Sequence, residues 1–78
     1  MKSRKRNRST LRVHATAIPV IDLIDSLMQV VGHDAHQAEQ CCYIISSKGS
    51  YVVKEDTRKN LVVMRNDLRG LGIKSEIE

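Results

Sequence analysis

The chain has 78 residues, a formal net charge of +4, two Tyr, and neither Trp nor Phe. That length holds one small domain with a modest core, built from Leu, Ile, Val, Met and Ala rather than aromatic rings. No apolar run approaches the roughly 18 residues of a membrane span, and the basic start is followed by polar or alternating residues instead of the apolar core of a secretion signal.

The charge is segregated. Lys2, Arg4, Lys5, Arg6, Arg8 and Arg12 precede residue 14 with no acid among them, which leaves seven of the 13 bases against nine acids, a net of −2 for the remainder. Residues 1–9 read as a flexible basic arm whose like charges repel, and residues 10–78 read as the folded domain.

From Thr10 to Ala15, Leu11 and Val13 alternate with Arg12 and His14, the pattern of a half-buried first strand. Pro19 suits a first helical turn. Val20, Leu23, Ile24, Leu27 and Val31 then recur on one face of a helix, with Asp22, Asp25, Ser26 and Gln29 opposite. Gly32 is a C-cap candidate and Asp34 an N-cap candidate for a second helix, whose shared face is Ala35, Ala38, Cys41, Cys42 and Ile45 and whose stop is Gly49.

Ser50 to Lys54 reads as a strand with Tyr51 and Val53 on one side. Asp56 or Thr57 caps a third helix with a stripe of Leu61, Met64, Leu68 and Leu71, ended by Gly70 and Gly72. Ile73 to Glu78 alternates again. The order β-α-α-β-α-β predicts an α+β domain in two layers, three helices on one face of a three-stranded, mainly antiparallel sheet.

The run LMQVVGHDAHQAEQCCYIISSKGSYVV, from Leu27 to Val53, resembles the core of the ClpS family, the adaptors that hand N-degron substrates to the Clp protease, and the resemblance extends more loosely from Thr10 to Glu78. It implies the same order of elements, a monomeric cytoplasmic adaptor with no chemistry of its own, and as partners substrate proteins and an AAA+ Clp unfoldase of the ClpA or ClpC type.

In that family an Asn-Asp-Asp segment after the first strand and a His near the end of the second helix bind the substrate's free α-amine. Alignment on Pro19 and Leu27 places His14, Ala15 and Thr16 at the first three positions and Ser46 at the fourth. An ammonium has three donors and a positive charge and needs several acceptors, ideally a carboxylate. An imidazole, a methyl group and two hydroxyls offer less, so amine recognition is expected to be weakened. The pocket for the first side chain would be lined by Ile18, Val20, Leu23, Cys42 and Ile45, residues that would serve equally as plain core. The family docks its unfoldase with a Glu after the Thr that opens the third helix; here Thr57 is followed by Arg58 and Lys59.

Other chemistry finds little support. His33, Asp34, His36, Glu39 and Cys41 lack the convergence a zinc site requires, no nucleophile has a base at useful spacing, and no glycine-rich loop opens a helix. Neither an enzyme, a metal nor a cofactor is expected. The adjacent Cys41 and Cys42 point about 100° apart on a helix and fit a reducing compartment. The basic arm and an Arg58, Arg65, Arg69 stripe on the third helix leave a second reading open, association with nucleic acid or the ribosome, and a third is an inactive paralogue competing for the unfoldase.

Overall fold

The computed structural model describes residues 8–78. Strand β1 (Arg8–His14) leads into helix α1 (Val20–Ser26), which continues as a π-helical segment (Leu27–Val31). Helix α2 (Ala35–Lys48), strand β2 (Ser50–Thr57), helix α3 (Arg58–Gly70) and strand β3 (Ser75–Ile77) complete the chain. The sheet order is β2-β1-β3, antiparallel throughout, with the helices on one face. The expected α+β architecture of three helices on a three-stranded sheet is the observed one.

Alternation along β1 fixes the layering. Leu11 and Val13 are fully buried under the helices, while Arg12 and His14 lie on the open face. There Arg12 Nε donates to Glu78 Oε2 at 3.0 Å, its Nη1 donates to Ser50 Oγ at 2.9 Å, and His14 Nε2 lies 3.5 Å from Glu76 Oε2. The core beneath the helices joins Leu11, Val13, Leu23, Leu27, Val31, Ala38, Cys41, Cys42, Ile45, Val53, Leu61, Leu68 and Ile73. Each fully buried Leu, Ile or Val contributes on the order of 1.5–3 kcal/mol.

The helix boundaries follow the capping chemistry. Asp34 accepts from the Gln37 amide at 2.8 Å and Thr57 Oγ1 from the Asn60 amide at 3.4 Å, each satisfying a donor left free in a first turn. Gly32 and Gly49 end the first two helical stretches at φ 91° and 92°, in the left-handed region where a side chain is penalised.

Several expectations are corrected. Residues 27–31 are π-helical, and Ser26, expected on the polar face, is buried with its hydroxyl donating to the Asp22 carbonyl at 2.8 Å. That bond satisfies the serine and competes with the helical ladder at the α-to-π junction. Val20 and Ala35 stand exposed in the first turns of α1 and α2, and Leu71 is exposed because α3 has already ended at Gly70.

Tyr51 is exposed at the margin of edge strand β2. β2 also runs on to Thr57, beyond the expected end at Lys54, because Arg8 to Leu11 pair with it, with a bulge between Leu11 and Arg12. Arg8 and Ser9, expected in the arm, are therefore strand residues. The rest of the expected arm lies outside the described residues. β3 is shorter than expected, though Ile73 before it is fully buried.

Candidate functional site

The residues between β1 and α1 are held against two other parts of the chain. The Ala15 amide donates to the Gly49 carbonyl at 2.8 Å, tying this loop to the end of α2. The His14 amide donates to the Lys74 carbonyl at 2.9 Å, tying it to the approach to β3. Thr16 Oγ1 donates to the His14 carbonyl at 3.0 Å and accepts from the Lys74 amide at 3.4 Å. Pro19, with φ −57° and ψ 143°, then turns the chain into α1.

His14, Thr16 and Ser46 thus belong to one end of the molecule, with Ser46 exposed on α2 three residues before Gly49. Their side chains differ in availability. The His14 ring is on the open sheet face beside Glu76, and the Thr16 hydroxyl is occupied by backbone groups.

Among the apolar candidates, Leu23, Cys42 and Ile45 are core residues no more than 5% exposed, with α1 packed on α2. Ile18 is half-buried against the same cluster and Val20 is exposed. A cleft of 230 Å³ beside Ile18 is completed by Asp22, Asp25, Ser26 and Leu71. Burial pushes the Cys42 thiol up to about 11, and the neighbouring Cys41 adds to this; Cys41 is raised by burial as well. Both are free and packed as small apolar groups.

Thr57, Arg58 and Lys59 open α3 at the opposite end of β2 from Ser50. The Thr57 hydroxyl is the helix cap, and Arg58 and Lys59 are exposed in the first turn. Asp56 accepts from the Thr57 amide at 2.7 Å and from Asn60 Nδ2 at 3.0 Å. These bonds, with Arg8 and Lys54 nearby, hold its carboxyl below the usual carboxylate range.

Two surface features were not singled out by sequence. A cleft of 590 Å³ on the outer face of α2 is lined by His36, Glu39, Gln40, Tyr43 and Ile44; the signal for it is Tyr43, a ring set opposite the helix's buried stripe. A second, of 360 Å³, lies where α3 turns into β3 and is lined by Arg69, Gly72, Ile73, Lys74 and Ser75. Among the described residues no group of three or more His, Cys, Asp or Glu is placed to hold a metal, and no helix is long and apolar enough to cross a membrane.

No protein-family model matches the chain, and no curated protein matches it by sequence. Solved structures do match, 16 chains in all. One is "The structure of Agrobacterium tumefaciens ClpS2 bound to L-phenylalaninamide", similar at a TM-score of 0.82 and 15% identity over 92% of this chain and 98% of that one. The fold is therefore ClpS-like along nearly its whole length.

Proposed function

We propose that this protein is a non-enzymatic, ClpS-like adaptor that binds substrate protein segments and presents them to an AAA+ Clp unfoldase in the cytoplasm. The observation that carries the reading is the likeness to ClpS2 over 92% of the chain. The ligand of that structure, L-phenylalaninamide, combines a free α-amine with an apolar ring, the two features an N-degron presents.

In this chain the two halves of such a ligand fare differently. The loop after β1 and the end of α2 are joined through Ala15 and Gly49, as a shared site requires. The amine half is poorly supplied: Ala15 has no acceptor in its side chain, Thr16 is occupied by backbone groups, and the His14 ring lies with Glu76. Ser46 is exposed but carries no charge to complement an ammonium. For the apolar half Val20 is exposed and Ile18 half-buried, while Leu23, Cys42 and Ile45 are packed in the core beneath them. The adaptor would thus rely on an apolar side chain more than on a free terminus, and dock its unfoldase through the Thr57–Lys59 turn.

Fluorescence anisotropy with a labelled Leu- or Phe-initiated peptide, beside its N-acetylated twin, tests this. Binding of the two peptides within a few fold of each other is the expected result. Binding of neither peptide, together with no retention of a ClpA- or ClpC-type unfoldase, would overturn the adaptor reading.

A further inference from the structure

We propose that the cleft between the end of α3 and β3 is a phosphate site, through which the protein binds a nucleic-acid strand along the arginine stripe of α3. The cleft of 360 Å³ is walled by Arg69 from the helix and by Lys74 and Ser75 from the strand side, over the glycine turn at Gly72. Ser75 Oγ is shut off from solvent and has no hydrogen-bond partner among the described residues. One helical turn before Arg69, Arg65 Nε is likewise buried and unpartnered. A native fold seldom leaves such donors unmatched.

Carboxylates are turned away from this side. Among the described residues Glu78 pairs with Arg12 and Glu76 lies beside the His14 ring, both on the open face of the sheet. Ser75 instead pairs with Val13 and shares the helix-facing side of the sheet. On α3 the one acid, Asp67, falls about 180° around the helix from Arg58, whereas Arg65 and Arg69 fall within about 20° of it. Arg58, Arg65, Arg69 and Lys74 thus form no ion pair among the described residues.

The donor set suits phosphate. The Arg69 guanidinium and the Lys74 ammonium that wall the cleft carry more donors than the two oxygens of a carboxylate use, and match an anion with several exposed oxygens. The arrangement extends beyond one anion. Arg58 lies about 16 Å along the helix from Arg69, and Arg8, which follows the Lys2, Arg4, Lys5, Arg6 series, pairs with Thr57 beside Arg58. Glu55 and Asp56 interrupt this corner, but Asp56 is engaged in the α3 cap. A linear polyanion fits cations in series. The chain's two aromatic rings, Tyr43 and Tyr51, lie on α2 and β2, so recognition is of the backbone and independent of sequence.

The test is anisotropy of fluorescein-labelled dodecauridylate with the full chain at 50 and 200 mM KCl, with amide chemical shifts followed in parallel. Expected are binding at 50 mM, a logarithmic salt slope between about −2 and −3 from three or four phosphate contacts, and shifts at Gly72, Lys74 and Ser75. The R69A/K74A variant, with its circular dichroism unchanged, should lose about tenfold or more in affinity and flatten the slope by about 1.4. The charge-preserving R69K/K74R variant should stay near the wild type.

Three results would each overturn the proposal. One is wild-type affinity in R69A/K74A with binding lost only when Lys2, Arg4, Lys5 and Arg6 are replaced by Ser. The second is equal affinity for a labelled polyglutamate of the same length. The third is saturation of the cleft by inorganic phosphate with no binding of the strand.

Discussion

The Ala15 amide and the Gly49 carbonyl meet at 2.8 Å, joining a loop and a helix end 34 positions apart in the chain. Gly49 does this from φ 92°, while its own amide donates back to the Ile45 carbonyl at 2.8 Å. One glycine therefore closes α2 and anchors the loop that enters α1. A Cβ placed there meets nothing within 4 Å, so the cost of a side chain is conformational. Gly49→Ala should lower stability by roughly 1–2 kcal/mol, read as a shift in urea midpoint at unchanged slope. An unchanged midpoint would mean the helix end relaxes out of the left-handed region.

Leu61 gives the corresponding prediction for the core. It is fully buried on α3, within a cluster that joins all three helices to β1 and β2. Leu61→Ala should cost roughly 2–5 kcal/mol. Small domains hold little more than that in total, so the variant should show a large unfolded fraction by near-ultraviolet and far-ultraviolet circular dichroism at 37 °C. Val63→Ala, on the exposed side of the same helix, should be nearly silent.

These residues also mark what could be read from the sequence. Leu61, Leu68, Ala38 and Ile45 recur at helical spacing, and Asp34, Thr57, Gly32 and Gly49 occupy capping positions with local signatures, so the layers and their order were legible. The extension of β2 through Glu55 to Thr57 was not, since those polar residues become strand only through pairing with Arg8 to Leu11 far away. The π-helical turn was not, since Ser26 looks polar until its bond to Asp22 is seen. Of the candidate site, the sequence points to the loop at Ala15 and to Ser46, and the structure brings the loop at Ala15 to the end of α2. The cleft of Arg69, Lys74 and Ser75 was not, because it depends on how a helix end and an edge strand come to face one another.

His33 predicts a pH dependence of stability. Burial lowers its pKa below the ordinary 6.5 and Lys54 lowers it further, against a hydrogen bond to the Val53 backbone and the charge of Asp34. Its Nε2 is buried without a partner among the described residues. Because the folded state holds the proton less tightly, the unfolded chain is protonated first as pH falls. Stability is therefore full above about pH 6.5, declines as pH falls through that value, and levels off below the folded-state pKa. The depressed Asp56 carboxyl acts lower, its contribution being present above 3.8 and lost as pH falls further. Urea titrations from pH 7.5 to 5 should show the decline in the wild type and a shallower one in His33→Gln. Equal slopes would show that the imidazole is solvated in solution.

The cysteines predict chemical silence. With Cys42 pushed up to about 11, roughly one thiol in a thousand is ionised at pH 8, and both side chains are packed in the core. Ellman's reagent should leave the folded protein unmodified on a scale of minutes and titrate two thiols at once in guanidinium. Prompt modification of the folded chain would show that α1 and α2 part readily enough to admit the reagent.

Supplying amine ligands tests the proposed adaptor role from the opposite direction. Ala15→Asp places a carboxylate in the loop fixed to Gly49, and Ser46→His places an acceptor on the adjoining last turn of α2. The two positions already share one end of the fold, so the double variant needs no rearrangement of the backbone. A charge-assisted hydrogen bond to an ammonium is worth about 1.5–3 kcal/mol, or roughly a tenfold to hundredfold gain in affinity. That gain should appear for a free Leu- or Phe-initiated peptide and be absent for its acetylated twin. A variant that folds normally but treats the two peptides alike would show that the loop does not face the ligand's amine, and would remove the α-amine from the account of what this protein binds.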